Sequence, residues 1–90
     1  MSIAMINIET PSLLEKSEIE SWPVWKKEPC CFDWDYTENE QFYILEGMAR
    51  LTSESGIDKT IKTGDLVTIE KGSRVKWCII EAIKKHYRFF

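Results

Sequence analysis

Histidine is nearly absent: His86 is the single imidazole in 90 residues, so no site can be built from two or more of them. Cysteine is scarce too. Cys30, Cys31 and Cys78 are an odd number, and no pair has the two-residue gap of a zinc knuckle or redox motif. Structural zinc is therefore not expected. In a strand, Cys30 and Cys31 would point to opposite faces, so at most one is expected inside, where a free cysteine behaves as a small hydrophobe. There is no excess of positive charge. Twelve Lys and Arg stand against 15 Asp and Glu, a net charge of −3, which argues against a nucleic-acid partner. Long apolar runs are missing as well: none exceeds four residues, Trp77 to Ile80 among them, whereas a membrane helix needs about 20. The N-terminus lacks a basic stretch leading into an apolar signal segment, and a cytoplasmic address is the expectation.

What the chain does have is large side chains. It is 43% hydrophobic, with four Trp, four Phe and three Tyr, enough to fill one small interior without disulfides or a structural metal. One domain over residues 1–90 is expected, because a chain this short cannot supply two cores.

Ile3 to Ile8 is apolar and β-branched, as in a first strand. Thr10-Pro11 offers an N-cap and a first-turn proline for a short helical turn over Ser12 to Ile19. Pro23 then prevents continuation, leaving Trp22 to Trp25 as an extended segment that plugs or wraps the core. From Cys30 onward the helical period disappears. Strands are expected at Cys31 to Tyr36, Gln41 to Leu45, Met48 to Ser53, Lys59 to Lys62, Leu66 to Ile69, Arg74 to Ile80 and Ile83 to Phe89, about eight with the N-terminal one. Each of the four glycines falls at a break between them. Within Cys31 to Tyr36 the alternation puts Phe32, Trp34 and Tyr36 on one face and Asp33 and Asp35 on the other. The basic cluster Lys84, Lys85, His86 and Arg88 reads as a solvated strand face.

Glu40-Gln41-Phe42-Tyr43-Ile44-Leu45-Glu46-Gly47 pairs a glutamate with a glycine seven positions on, and Gly64 to Gly72 repeats a glycine at a separation of eight. Sixteen residues lie between Gly47 and Gly64. In that order and spacing the two segments resemble the paired motifs of the cupins. With Trp22 to Trp25, Phe32-Asp33-Trp34, Trp77 and Lys85-His86-Tyr87, residues 20–90 resemble the small single-domain cupins grouped with the cupin domain of ureidoglycine aminohydrolase. The resemblance implies an all-β fold, a small antiparallel jelly-roll barrel of six to eight strands, often dimeric, with a pocket inside its mouth.

It also implies where a metal would be held, and the residues there are not histidines. The paired positions fall on Trp34 and Tyr36, or on Asp33 and Asp35 in the alternative alignment, and the third falls on Val75. Only Glu40 remains as a ligand type. Turning both aspartates inward would expose three aromatics, at about 1.5–3 kcal/mol each. No metal and no cofactor are therefore expected. The expected pocket is lined by Trp34, Tyr36, Glu40, Phe42 and Trp77, one carboxylate among ring faces, suited to a small nitrogenous or carboxylated metabolite. Packing alone would account for the same aromatics, with Glu40 bonded to Tyr36 or an indole N–H. The competing reading is a metal-dependent enzyme of the aminohydrolase type, with Glu40 as ligand or base and His86 as acid; Tyr43 and Arg74 are further candidates. A third is an interaction module whose barrel is filled and whose Phe89-Phe90 end meets a partner.

Overall fold

The computed structural model of the chain describes residues 6–90. Two long strands dominate it, β4 (Glu40–Thr52) and β7 (Arg74–Phe89), paired antiparallel along their lengths. Five short strands complete a single sheet: β1 (Ile6–Glu9), β2 (Val24–Lys27), β3 (Cys31–Asp35), β5 (Asp58–Lys62) and β6 (Leu66–Ile69). On the free edge of β4, Glu40 to Tyr43 pair with β6 and Met48 to Thr52 with β5; β6 in turn carries β1. On the free edge of β7, Arg74 to Cys78 pair with β3 and Ile83 to His86 with β2. All pairings are antiparallel, in agreement with the small antiparallel β fold expected.

Seven strands are described, against about eight expected: Gln41 to Leu45 and Met48 to Ser53 belong to one strand, as do Arg74 to Ile80 and Ile83 to Phe89, while β2 is an additional one. The apparent break in β4 is a change of phase. Glu40, Phe42 and Ile44 point inward on even numbers, and Ala49 and Leu51 on odd ones. Register irregularities between Ile44 and Ala49 absorb the extra residue, as a β-bulge does. Gly47 sits in that bulge at φ +99°, where a Cβ would lie 2.8 Å from the Glu81 carbonyl oxygen. Both the conformation and the close approach of β7 require glycine there. Within Trp22 to Trp25, Val24 and Trp25 are extended as part of strand β2, and Trp25 packs against the core as expected. Of the expected first strand, residues 3–5 lie outside the described residues.

The helix α1 (Leu13–Ile19) begins at Ser12, not at Thr10. Ser12 Oγ accepts the Glu15 amide at 3.2 Å, and Glu15 Oε1 accepts the Ser12 amide at 3.1 Å, so two amides at the helix start are satisfied reciprocally. Ile19 is its buried contact. The core combines the aliphatic side chains of Ile44, Ala49, Leu51, Ile61, Val67, Ile69 and Ile79 with the rings of Tyr36, Phe42 and Trp77, and Tyr36 and Trp77 border the site.

The cysteines depart from expectation. Cys31 on β3 is directly opposite Cys78 on β7, and the two form a disulfide on the outer face of the sheet. Neither is a buried hydrophobe: Cys31 is the outward residue before Phe32, and Cys78 is the outward residue between the buried Trp77 and Ile79. Cys30 is free and exposed.

Candidate functional site in the barrel mouth

The site grows from the alternation in β3. Phe32 and Trp34 turn inward beside Trp77 and Val75 of β7, and Tyr36, one step past the strand, follows them. Asp33 and Asp35 turn outward, where Arg74 meets them at 3.7 and 3.4 Å in exposed pairs of small energetic weight. Phe32 stacks on Trp77 with centroids 5.9 Å apart and planes within 10°. Trp25 of β2 meets Trp77 edge-on at 6.4 Å. These rings, with Tyr87 and Phe89 near the end of β7, enclose an open cavity of about 230 Å³. Trp34 stands at its rim, 47% exposed.

Two charged groups lie within this aromatic enclosure. Glu40 opens β4 and Lys85 lies opposite Ile44 on β7, so both point inward on neighbouring strands. They are 4% and 5% exposed, and Lys85 Nζ donates to Glu40 Oε2 at 3.1 Å. The same ammonium lies 4.0 Å from the ring centre of Phe42, 4.7 Å from Trp77 and 4.8 Å from Trp25. Three ring faces and a carboxylate thus replace its water. Burial lowers the Lys85 pKa from the usual lysine value, and Glu40 opposes that shift without cancelling it. Beside the pair, the Trp77 indole N–H donates to the Tyr36 hydroxyl at 3.0 Å. Burial above all, and then the charge of Glu40, raise the Tyr36 pKa and hold the phenol neutral. The enclosure therefore contains one buried amine, one carboxylate and one neutral phenol.

The EutQ-like cupin domain matches residues 14–87 of this sequence. The chain belongs to that cupin family. Among solved structures this cupin is similar to a DUF861 family protein from Thermotoga maritima, with 44% identity, a TM-score of 0.90, and 96% and 100% of the two chains covered. It shares its fold with the Clostridium difficile EutQ protein (18% identity, 97% of this chain and 68% of that one, TM-score 0.68). It does so equally with a putative ethanolamine utilization protein Q from Salmonella typhimurium (19% identity, 94% and 68%, TM-score 0.68). No curated protein matches it.

The donors in this cupin do not fit the metal that many cupins hold. Trp34, Tyr36 and Val75 stand at the positions implied for histidines, and the remaining carboxylate, Glu40, already faces a cation, the ammonium of Lys85. Among the described residues, no group of three or more His, Cys, Asp or Glu side chains is arranged to bind an ion. Tyr36 could serve only as a phenolate, the form its surroundings oppose.

Of the residues proposed from sequence, Trp34, Tyr36, Glu40 and Trp77 meet in the cavity of this cupin. Phe42 is wholly buried behind it, tilted against Trp77 at 5.3 Å and lying under the Lys85 ammonium. Glu40 bonds to Lys85, not to an indole, and the indole bonds to Tyr36. His86 is not brought to the site. It follows Lys85 on β7 and faces the opposite side, with its Nδ1 2.8 Å from the Trp22 carbonyl oxygen. Tyr43, opposite His86, lies on that same far face, and Arg74 is outside with the aspartates. Sequence reasoning missed Trp25, Phe32 and, above all, Lys85. Part of the signal was available: in a strand, Lys85 and Lys84 cannot share one face, so the basic run could not be solvated throughout, although which residues face inward is set by register.

Proposed function

We propose that this cupin binds a small, largely uncharged metabolite in the barrel mouth, and that it does so without a metal. The observation that carries the reading is the Glu40–Lys85 pair buried at the edge of an open aromatic cavity. A solvent-excluded ion pair is seldom more stable than well-packed hydrophobic residues of equal volume, so its presence beside a cavity argues for a role in the site. The two charges neutralise one another, so the walls offer no free counter-charge for a strongly anionic or cationic ligand. Size narrows the choice further. At about 30 Å³ per water, 230 Å³ holds some seven or eight waters, the bulk of a compound with about that many non-hydrogen atoms. Flat or apolar groups suit the ring faces, and the ammonium and the Tyr36 hydroxyl offer polar contacts.

The alternative, a metal-dependent enzyme resembling ureidoglycine aminohydrolase, would need Glu40 to leave Lys85 for an ion around which the described residues group no set of three His, Cys, Asp or Glu side chains. No feature of the site favours it. A thermal-shift screen of small metabolites, repeated with manganese, nickel, zinc and iron, separates the two readings. Saturation at 100 times Kd stabilises by about 2.7 kcal/mol. The binding reading expects such a rise from a compact neutral compound irrespective of metal. It is lost if no compound raises Tm, or if a rise occurs only with a stoichiometric ion.

A further inference from the structure

Among the described residues, Lys85 is the one amine lining the cavity, and its surroundings resemble those that convert a lysine from a counter-ion into a nucleophile. Its Nζ lies within hydrogen-bond distance of a carboxylate that can take its proton, and faces three aromatic rings. The cavity alongside is open to solvent and small. We propose that Lys85 captures a small uncharged aldehyde or ketone as a Schiff base, making this cupin a reversible carbonyl-binding protein. The inference rests on the reading that the cavity binds a small neutral ligand, and it names the class of ligand.

The chemistry needs no partner beyond the groups present. Glu40 takes one proton from the Lys85 ammonium, and the free amine lone pair forms a C–N bond to the carbonyl carbon while the C=O π bond opens to oxygen. The oxygen receives the proton from Glu40, giving a carbinolamine that is still protonated on nitrogen, paired with the restored carboxylate. Loss of the hydroxyl with a second nitrogen-derived proton breaks the C–O bond and releases water. The sum is ammonium plus carbonyl giving iminium plus water, with one positive charge on each side. The iminium inherits everything that held the ammonium: the Glu40 carboxylate and the faces of Trp25, Phe42 and Trp77. The same faces limit the water that would hydrolyse it. Burial, which lowers the Lys85 pKa, favours the free amine needed for attack. A carboxylated carbonyl compound fits less well, since Glu40 would repel it and, among the described residues, no second cation lines the cavity.

The test uses the whole protein with propanal and with benzaldehyde, each with sodium cyanoborohydride at pH 7, followed by intact mass and peptide mapping. The expected result is a single reduced adduct on Lys85, formed on the order of tenfold faster than on any of the eight other lysines. Lys85→Arg keeps a cation for Glu40 but cannot form an imine, and is expected to lose the fast adduct. In parallel, benzyl alcohol, which has the shape of benzaldehyde without its carbonyl, is titrated while the Trp77 indole N–H resonance is followed. Labelling spread evenly over the lysines overturns the proposal. If benzyl alcohol shifts the indole while Lys85 stays unlabelled, imine formation is wrong and the cavity still binds neutral ligands; if neither compound has an effect, both readings fall.

Discussion

Replacing Lys85 with methionine is the most direct way to measure what the buried pair does to the fold. The substitution keeps an unbranched stem among Trp25, Phe42 and Trp77 and removes the charge. Glu40, 4% exposed, is then left without its cationic partner. Deleting one member of a buried ion pair costs about 3–5 kcal/mol, mainly through the orphaned charge. The lost contacts with three ring faces add about 2 kcal/mol at most, and a methionine sulfur against the same rings returns about 0.3–1.5. A net loss of about 3–5 kcal/mol is therefore expected, from a domain whose total stability is of the order of 5–15. Glu40→Met combined with Lys85→Met removes both charges and is expected to recover most of that loss. Urea unfolding of the wild type, both single variants and the double variant closes the cycle, with an expected coupling above about 2 kcal/mol. A single Lys85→Met variant within about 1 kcal/mol of wild type, or a double variant no more stable than the singles, would refute the reasoning.

Three further outcomes follow from other parts of the molecule. The Cys31–Cys78 bridge spans 47 residues, so loop-closure entropy assigns it about 4 kcal/mol; reduction with dithiothreitol, or Cys78→Ser, is expected to lower the urea midpoint accordingly, and an unchanged midpoint would contradict this. Gly47→Ala must adopt positive φ and displace the backbone of β7, whereas Gly56→Ala meets no atom within 4 Å; the first is expected to cost well over 2 kcal/mol and the second about 1, as read by thermal denaturation. Stability is expected to rise as pH increases toward about 10 and to fall beyond it. The unfolded chain keeps the Lys85 proton up to the usual 10.5 while the folded chain releases it at lower pH, so the unfolded state binds more protons in that window. Tyr36 acts in the opposite sense above its usual 10.0, where only the folded chain still holds the phenol proton. Isothermal urea titrations from pH 7 to 11 measure the curve, and a monotonic fall across that range would contradict the assignment.

The barrel was legible in the sequence because its signals are local. Alternation over Phe32, Trp34 and Tyr36 fixes one inward face within a few residues, and Gly56, Gly64 and Gly72 mark turns between strands. Four of the five pocket residues named from that pattern do meet in one cavity. The remainder depends on register, which no short segment encodes. Cys31 finds Cys78 only because β3 docks on β7 with Phe32 opposite Trp77. Lys85 finds Glu40 only through the pairing of β7 with β4. A lysine within a run of basic residues carries the composition of a solvated surface, and it takes the pairing of Ile44 with Lys85 to show otherwise. The bulge obscured length in the same way: a phase change at Gly47 looks identical to the end of one strand and the start of another.

The paired ribbon of β4 and β7 holds the carboxylate on one member and the amine on the other, with β2 and β3 attached along the far edge of β7. Any ligand that fastens on Lys85 consequently leans on four strands whose only common support is that central pair. Occupancy of the mouth and cohesion of the sheet are then expected to rise together, because the bulge of β4 begins at Ile44, the very partner of Lys85: a guest held there should slow amide exchange along both long strands.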